Sequence, residues 1–521
     1  MFMFRSPLPD VTIPVVSLTD FVLGDAARFG DKPALIDGPT GRTITYTQLA
    51  QAVERVAAGL AARGLRKGDV IAVYSPNLPE YAIAFHGTLR AGGIVTTANP
   101  LYTVEELTHQ LNDAGATFLI TIPPLLETAL AAAQQSNVRE IFVFGEAEGA
   151  TPFATLLQSE GAAPNVEIDP REDVAVLPYS SGTTGLPKGV MLTHYNLVSN
   201  LCQISALEPL TPDDVLIGIL PFFHIYGMIV ILNSALNNGA TVVSMPRFDL
   251  VQFLELMQKH RVTRAHLVPP VVLALAKHPI VDQYDLSALR MIMSGAAPLG
   301  EEIAVAVSER LGCKVKQAYG MTEASPATHI TPDDRIKPAA VGVLVPNTEA
   351  RIVDPTTGQD VGVGERGEIW IRGPQVMKGY LNRPDATAAT VDAEGWLHTG
   401  DVGYADEDGY FYIVDRVKEL IKYKGYQVAP AELEAVLLSH PAVADAAVIP
   451  VPDEEAGEIP KAFVVKKADV DADELMAYVA EHVAPYKKVR EIEFVESIPK
   501  SASGKILRRL LVEQERARRA H

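Results

Sequence analysis

The segment Tyr179-Ser-Ser-Gly-Thr-Thr-Gly-Leu-Pro-Lys-Gly189 has the residue types that hold phosphate. Gly182 and Gly185 permit positive φ and let a ligand come close to the main chain. Ser180, Ser181, Thr183 and Thr184 add hydroxyl donors to the bare amides, and Lys188 adds a cation. Convergent amides, hydroxyls and a fixed positive charge make an anion cradle. A solvated turn between two strands is the plain alternative, but such turns seldom need so long a run of these residues.

Two other patterns fail their context tests. The loop is not a Walker A motif, which requires Gly-Lys-Ser/Thr five residues after its first glycine. Counting from Gly182, Pro187 occupies the second glycine's place and Gly189 follows the lysine. The apolar run after it, GVMLTH, reads as a strand, whereas a P-loop opens a helix. Gly362-Val-Gly-Glu-Arg-Gly367 satisfies GxGxxG, yet it precedes the strand pattern EIWIR and therefore reads as a turn and not as a dinucleotide site.

Taken singly, the remaining polar candidates have ordinary readings. Asp401 in a Gly turn would cap that turn, and Glu323 would be a surface carboxylate. Lys505, in Ser-Ala-Ser-Gly-Lys, reads as a solvated lysine, and Lys418, Lys422 and Lys424 read as surface charge. His224, after a strongly apolar strand, reads equally well as a buried histidine satisfied by hydrogen bonds.

The elements that must position these groups are legible from periodicity. From about residue 43 to 330, β-branched runs (DVIAVYS, GIVTTANP, TFLITI, REIFVFG, DVLIGILP, ATVVSMP, LRMIMSG) alternate with longer helical patterns. That alternation implies βαβ units and mostly parallel sheets covered on both faces. Residues 349–415 change texture, with strands, Gly- and Asp-rich turns and little helix, which suggests a β-rich subdomain over about 340–416. A compact α+β pattern follows. The expected organisation is an α/β chain with a large N-terminal domain over 1–416 and a smaller mobile domain over 417–521, joined at the short charged junction Arg416-Val417-Lys418.

Composition narrows the function classes. A chain of 521 residues exceeds one ordinary core. With 48% apolar and 21% charged residues it is globular, and a net charge of −19 argues against nucleic acid or an anionic membrane as the main partner. Two cysteines, Cys202 and Cys313, fit a reducing compartment. The opening MFMFRSPLPD lacks a secretory pattern, no run of about twenty apolar residues could span a bilayer, and Arg519-Ala520-His521 is not a peroxisomal address. A cytoplasmic monomer or homodimer is expected.

The motifs in combination identify a family. SSGTTGLPKGV, QAYGMTE (317–323), TGD (399–401), DR (415–416), YKGYQVAPAELE (423–434) and PKSASGK (499–505) resemble the AMP-forming acyl-CoA synthetases, in family order over essentially the whole chain. FRSPLPDVTIP, PFFHIYG (221–227) and MSGAAPLG (293–300) look most like 4-coumarate–CoA ligases. One departure is Trp370 in GEIWIRG, where the plant ligases carry a cysteine.

The resemblance implies attack of a carboxylate on the ATP α-phosphate with loss of pyrophosphate, then thiol attack by coenzyme A with loss of AMP. Like charges meet in the first step, so cations and oriented dipoles should carry it, with Mg²⁺ as Lewis acid. It assigns Ser181, Gly182, Thr183, Thr184, Gly185 and Lys188, with Ser180, to the ATP phosphates. Glu323, with Thr184, becomes the magnesium ligand, and Thr322 contacts the α-phosphate. Asp401 and Arg416 take the ribose, and Gln317 and Gly320 lie near the nucleotide. Lys505 hydrogen-bonds the reacting groups, and Lys418 is the hinge of a lid-type rotation. After that rotation Lys422 would meet the adenylate phosphate, and Lys424, Gly425, Gln427 and Arg247 would meet coenzyme A. His224 would steer the acid and the thiol.

The acid pocket implied by the resemblance contains Tyr226, Val230, Met293, Ala296, Ala318, Gly320, Pro326 and Ala327. All but Tyr226 are apolar or small, and Ala296 and Ala318 add methyls that narrow the slot. Cinnamate and 4-coumarate are therefore expected as substrates, with caffeate, ferulate and sinapate progressively worse. One methyl discriminates by only about 1–3 kcal/mol. The rivals are a fatty acyl-CoA synthetase, a luciferase-like oxygenase, a carrier-loading adenylation enzyme and a non-catalytic adenylate-binding protein.

Overall fold

The computed structural model describes residues 2–180, 187–424, 426–453, 455–501 and 504–519. Ser181, Gly182, Thr183, Thr184, Gly185 and Gly425 lie outside the described residues, as does the side chain of Gln427.

Two large sheets form the body. The eight-stranded one runs, edge to edge, through strands Gly379–Tyr380, Lys188–Thr193, Val174–Ser180, Ile94–Ala98, Val70–Tyr74, Ala116–Thr121, Glu140–Val143 and Thr151–Pro152. The nine-stranded one places Lys314–Gly320, Met291–Ser294, Arg264–Leu267 and Val215–Gly218 side by side and parallel. Their continuous apolar character, for example VIAVY with all five residues buried, is what two-sided coverage requires. Helices Tyr46–Ala62, Pro79–Arg90 and His194–Ser205 contribute to one core that joins residues of both sheets. The last of these starts immediately after strand Lys188–Thr193. Thr193 makes that abrupt start possible: its hydroxyl accepts from the Asn196 amide at 3.1 Å, while Asn196 Oδ1 accepts from the Thr193 amide at 2.9 Å, a reciprocal cap.

The β-rich subdomain is a five-stranded sheet of Glu349–Val353, Gly367–Arg372, Leu397–Ala405 and Phe411–Arg416, completed by Phe4–Arg5 from the other end of the chain. It is thus not the contiguous block that the sequence suggests, because the free edge of Glu349–Val353 is paired by the N-terminal strand. Residues 349–415 also contain a helix, Pro384–Thr390, and the short strand Gly379–Tyr380, which leaves this sheet to pair with Lys188–Thr193. On one side of this sheet Trp370 stacks on His398, with centroids 3.7 Å apart and planes 9° apart. Arg351 lies over both Trp370 and Trp396.

The chain changes sheets between Arg416 and Ile421. Strands Ile421–Tyr423, Tyr426–Val428, Val443–Asp453, Gly457–Lys466 and Glu491–Phe494 form a separate five-stranded sheet with its own buried cluster. Helices Pro430–Ser439, Ala472–His482 and Arg508–Arg519 accompany it. Among the described residues no helix is long and apolar enough to cross a membrane, and Cys202 and Cys313 are free thiols.

Candidate active site

The carboxyl ends of the central strands of both sheets carry the candidate residues, the place where parallel α/β sheets leave a crevice. Strand Val174–Ser180 ends at the phosphate loop, Val215–Gly218 leads to His224, Met291–Ser294 to Ala296, and Lys314–Gly320 to Thr322 and Glu323. Backbone constraints mark two of these strand ends. A Cβ on Gly320 would sit 2.1 Å from the Pro326 carbonyl oxygen, so only glycine fits. Ala296 takes φ 70°, a left-handed conformation that costs an alanine about 1–2 kcal/mol.

One cluster joins the phosphate loop to Glu323. Lys188, the first residue of its strand, sits with Nζ 4.9 Å from the Tyr380 ring centroid, and the Tyr380 hydroxyl donates to Glu323 Oε1 at 2.7 Å. Glu323 is buried, and its other oxygen has no donor among the described residues. Thr322 is half-buried beside it. Tyr380 thus spaces a cation and a carboxylate across one ring. It belongs to MKGYLN, where a tyrosine among turn residues carries no sequence signal.

A second cluster brings the C-terminal part to the body. Asp401 and Arg416 are cross-strand partners, with Arg416 Nε 3.4 Å from Asp401 Oδ1, and the Tyr319 hydroxyl donates to Asp401 Oδ2 at 2.5 Å. Burial raises the Asp401 carboxyl above its usual range against the pull of Arg416 and Tyr319. Lys505 enters this field. Its loop is closed by Ser501, which accepts the Lys505 amide at 3.1 Å, and a Cβ on Gly504 would lie 3.2 Å from Val268 of the large body. Burial, then Arg416, lowers the Lys505 ammonium to about 8, with Asp401 opposing. The lysine that looks solvated in sequence is half-buried and within the electrostatic field of Arg416 and Asp401. Arg508, one turn further on, anchors this segment by donating to Glu419 at 2.5 Å and Glu434 at 2.6 Å.

A third cluster begins with His224. Its Nδ1 accepts the Tyr226 amide at 3.3 Å, which puts the proton on Nε2, and burial together with Lys505 lowers its pKa to about 4, so the ring is neutral. Tyr226–Asn233 is a wide π-type helix with every residue buried, Val230 included, a form common at functional sites. Tyr226 packs against Gly295, and its hydroxyl lies 3.5 Å from both His266 Nδ1 and the Met293 carbonyl. Pro326 and Ala327 are buried, Ala318 is half-buried, and Ala296 is exposed.

Behind this pocket lies a buried charge network absent from the sequence reading. Lys316, with no exposed surface, pairs with Glu208 and, at 2.5 Å, with Asp333, while Arg264 Nη1 donates to Glu208 at 2.8 Å. Burial alone would raise the Glu208 carboxyl, but Lys316 and Arg264 outweigh it and hold it below its usual range.

Gln317 spends its amide on the main chain: Oε1 accepts from Leu299 N, and Nε2 donates to Leu299 O and Pro338 O. Its side chain therefore positions two loops and has no donor left for adenine. Lys422 and Lys424 are exposed on the hairpin of Ile421–Tyr423 and Tyr426–Val428, and Lys424, at φ 46°, pairs with Glu455 at 2.5 Å. Lys418 and Arg247 are also exposed. It is the Lys505 loop, and not this hairpin, that meets the Asp401 cluster.

Comparison with known proteins agrees with this layout. Residues 24–381 match the AMP-binding enzyme family and residues 432–505 match the AMP-binding enzyme C-terminal domain. The 4-coumarate–CoA ligase 1 of Solanum tuberosum is 47% identical, covering 97% of this chain and 95% of its own length, and the 4-coumarate–CoA ligase of Pinus taeda is 47% identical over 97% and 96%. Among solved structures, an anthranilate CoA ligase in complex with anthranoyl-AMP superposes with TM-score 0.91 at 27% identity, covering 98% of this chain and 99% of its own. ATP-bound MatB from Rhodopseudomonas palustris gives TM-score 0.86 at 32% identity over 96% and 99%. The loops at the carboxyl ends of the strands, the separate C-terminal sheet and near full-length similarity converge on one assignment: this chain belongs to the AMP-binding enzyme family.

Proposed function

We propose that the protein is a cytoplasmic ATP-dependent acid–CoA ligase of the 4-coumarate type, which activates cinnamate or 4-coumarate as its adenylate and transfers the acyl group to coenzyme A. The observation that carries this reading is the seat of Lys505, half-buried within the electrostatic field of Arg416 and Asp401 and with its charge felt at His224. A cation there lies between a ribose-type carboxylate and the mouth of an apolar slot, where a carboxylate must approach an anionic α-phosphate. Lys505 would hydrogen-bond both reacting groups, Lys188 would neutralise the departing pyrophosphate, and Thr322 would orient the α-phosphate. Asp401 and Arg416 would hold the ribose.

Glu323 suits a magnesium ion, since it is a buried carboxylate with one oxygen committed to Tyr380 and the other without a donor among the described residues. When bound, the ion would screen the phosphate charge and act as a Lewis acid. Neutral His224, with its Nε2 proton available, would steer the acid carbonyl and the thiol. For the second half-reaction, rotation about Lys418 would exchange the Lys505 loop for the hairpin bearing Lys422, Lys424, Gly425 and Gln427, with Arg247 receiving a phosphate of coenzyme A.

Pyrophosphate release across a panel of acids, with and without coenzyme A, tests the reading. Cinnamate or 4-coumarate should give the highest kcat/KM, with coenzyme A needed for sustained turnover. A faster alkyl acid would turn the assignment to a fatty acyl-CoA synthetase. Ferulate should be poorer than cinnamate, and Ala318→Gly should narrow that gap.

A further inference from the structure

Helix His194–Ser205 is polar along a face that lies inside the protein. Asn196, Asn200 and Gln203 recur at helical spacing and all are buried, Asn200 and Gln203 with no exposed surface. Buried amides persist where their donors and acceptors are met. Here they are met mainly by the main chain of distant segments.

Asn200 makes the most specific of these contacts. Its Oδ1 accepts from the Ala327 amide at 3.0 Å and its Nδ2 donates to the Ala327 carbonyl at 2.8 Å, so one carboxamide reads both polar groups of a single residue. Nδ2 also donates to Gln203 Oε1 at 3.0 Å. Gln203 Nε2 donates in turn to Gln375 Oε1 at 3.0 Å and to the Pro346 carbonyl at 2.8 Å. The circuit returns to the segment it left, because the Ser325 hydroxyl donates to the Gln375 carbonyl at 2.8 Å.

Ser325 and Ala327 stand just after Thr322 and Glu323, where strand Lys314–Gly320 turns back into Ala327–Ile330. Ser325 takes φ 71°, a conformation uncommon for any residue but glycine. A second grip comes from the same helix. Asn196 Nδ2 donates to the carbonyls of Pro374 and Val376, both at 2.9 Å, and the Met377 amide beside them donates to the Glu323 carbonyl at 2.8 Å. The helix continues directly from strand Lys188–Thr193. One run of chain thus carries Lys188 at its start and holds the Thr322–Glu323 turn from its buried face.

We propose that Asn200 is a positioning residue: its carboxamide, paired with the main chain of Ala327, sets the Thr322–Glu323 turn in register with Lys188, so that activation of the acid depends on it while nucleotide binding as such does not. The inference rests on the roles given above to Lys188, Thr322 and Glu323. Asn200→Leu keeps the size of the side chain but leaves the Ala327 amide and carbonyl buried without partners. Asn200→Asp keeps the acceptor and turns the donor into a second acceptor, which faces the Ala327 carbonyl and Gln203 Oε1 and repels both. Either change lets the turn shift, and a shift of about 1 Å costs about 100-fold in a step that needs aligned groups.

The test pairs single-turnover pyrophosphate release from cinnamate and ATP with calorimetric titration of a non-hydrolysable ATP analogue, with and without magnesium. In Asn200→Leu and Asn200→Asp, pyrophosphate release should fall about 100-fold. The analogue should bind as in the wild type without magnesium, and the tightening that magnesium confers should be lost. A merely structural role would weaken metal-free binding and pyrophosphate release together, and that result overturns the proposal, as does an unchanged rate in Asn200→Asp. If neither variant folds, Ser325→Ala, which gives up only the bond to Gln375, must show the same loss of the magnesium increment at a smaller size. A full increment there overturns the proposal. A wild-type enzyme that shows no magnesium increment and releases no pyrophosphate refutes the parent roles of Thr322 and Glu323, an outcome visible before any variant is made.

Discussion

Replacing Lys505 separates its charge from its shape. In the ligand-free protein its ammonium titrates near about 8, lowered by burial and by Arg416. The protonated fraction is then about 90% at pH 7 and about 10% at pH 9, so kcat/KM for ATP in the first half-reaction should fall about tenfold over that interval, because kcat/KM reports the free enzyme. The sign follows from the role: the cation is the active form, so activity is lost as pH rises. Lys505→Arg keeps the charge to far higher pH, and its alkaline limb should vanish even if its absolute rate is lower. Lys505→Met removes the charge at every pH and should cost about 100- to 1,000-fold in adenylation, the worth of one preorganised donor. Nucleotide binding should survive, since the Asp401–Arg416 pair and Tyr319 are untouched. The assay is single-turnover pyrophosphate release from pH 6 to 10, with calorimetric titration of a non-hydrolysable ATP analogue alongside. An unchanged alkaline limb in Lys505→Arg would refute the assignment, as would a methionine variant whose binding and chemistry weaken equally.

Two further perturbations probe the clusters on either side. Tyr380→Phe keeps the ring over Lys188 but removes the donor to buried Glu323, and should destabilise the ligand-free protein by about 1.5–3 kcal/mol in thermal unfolding. Saturating magnesium–ATP should shrink that deficit, because the cation replaces the lost proton; a deficit indifferent to the metal would argue against Glu323 as a ligand. Lys316→Met leaves Glu208 buried with a partner missing, and should cost about 3–5 kcal/mol by chemical denaturation, whereas replacing Lys316 and Glu208 together should cost much less.

Legibility from sequence tracked how local each signal is. Strands such as Val70–Tyr74 and Met291–Ser294 announce themselves because two-sided burial writes a continuous apolar run. Helix Ala472–His482 does so through its 3.6-residue period and the Asp471 cap. What escaped was non-local. Phe4–Arg5 completes the β-rich sheet from some 340 residues away, and two residues of strand carry no periodicity. The same holds for the site. The 181–188 loop reads as an anion cradle by composition, and motif company singled out Asp401 and Lys505. Tyr380 and Tyr319 matter because distant strands bring their hydroxyls to Glu323 and Asp401, and neither spacing nor residue type indicates that. Glu208, Arg264, His266 and Lys316 are charged or ionisable residues in otherwise apolar strands and loops, an anomaly that could have been read as a buried network without telling which pocket it supports.

The stacking of Trp370 on His398 makes the molecule its own optical instrument. The chain has only two tryptophans: Trp370 lies in a strand of the β-rich sheet and Trp396 immediately precedes another, so its indole emission reports that subdomain alone. His398 stands three residues before Asp401 on the same strand and bonds Asp392 through Nε2 at 3.2 Å. A displacement of the imidazole from the indole face would change the emission of Trp370. The sheet that carries Asp401 and Arg416 thus has an intrinsic fluorophore, which allows changes in that sheet to be followed without attaching a dye.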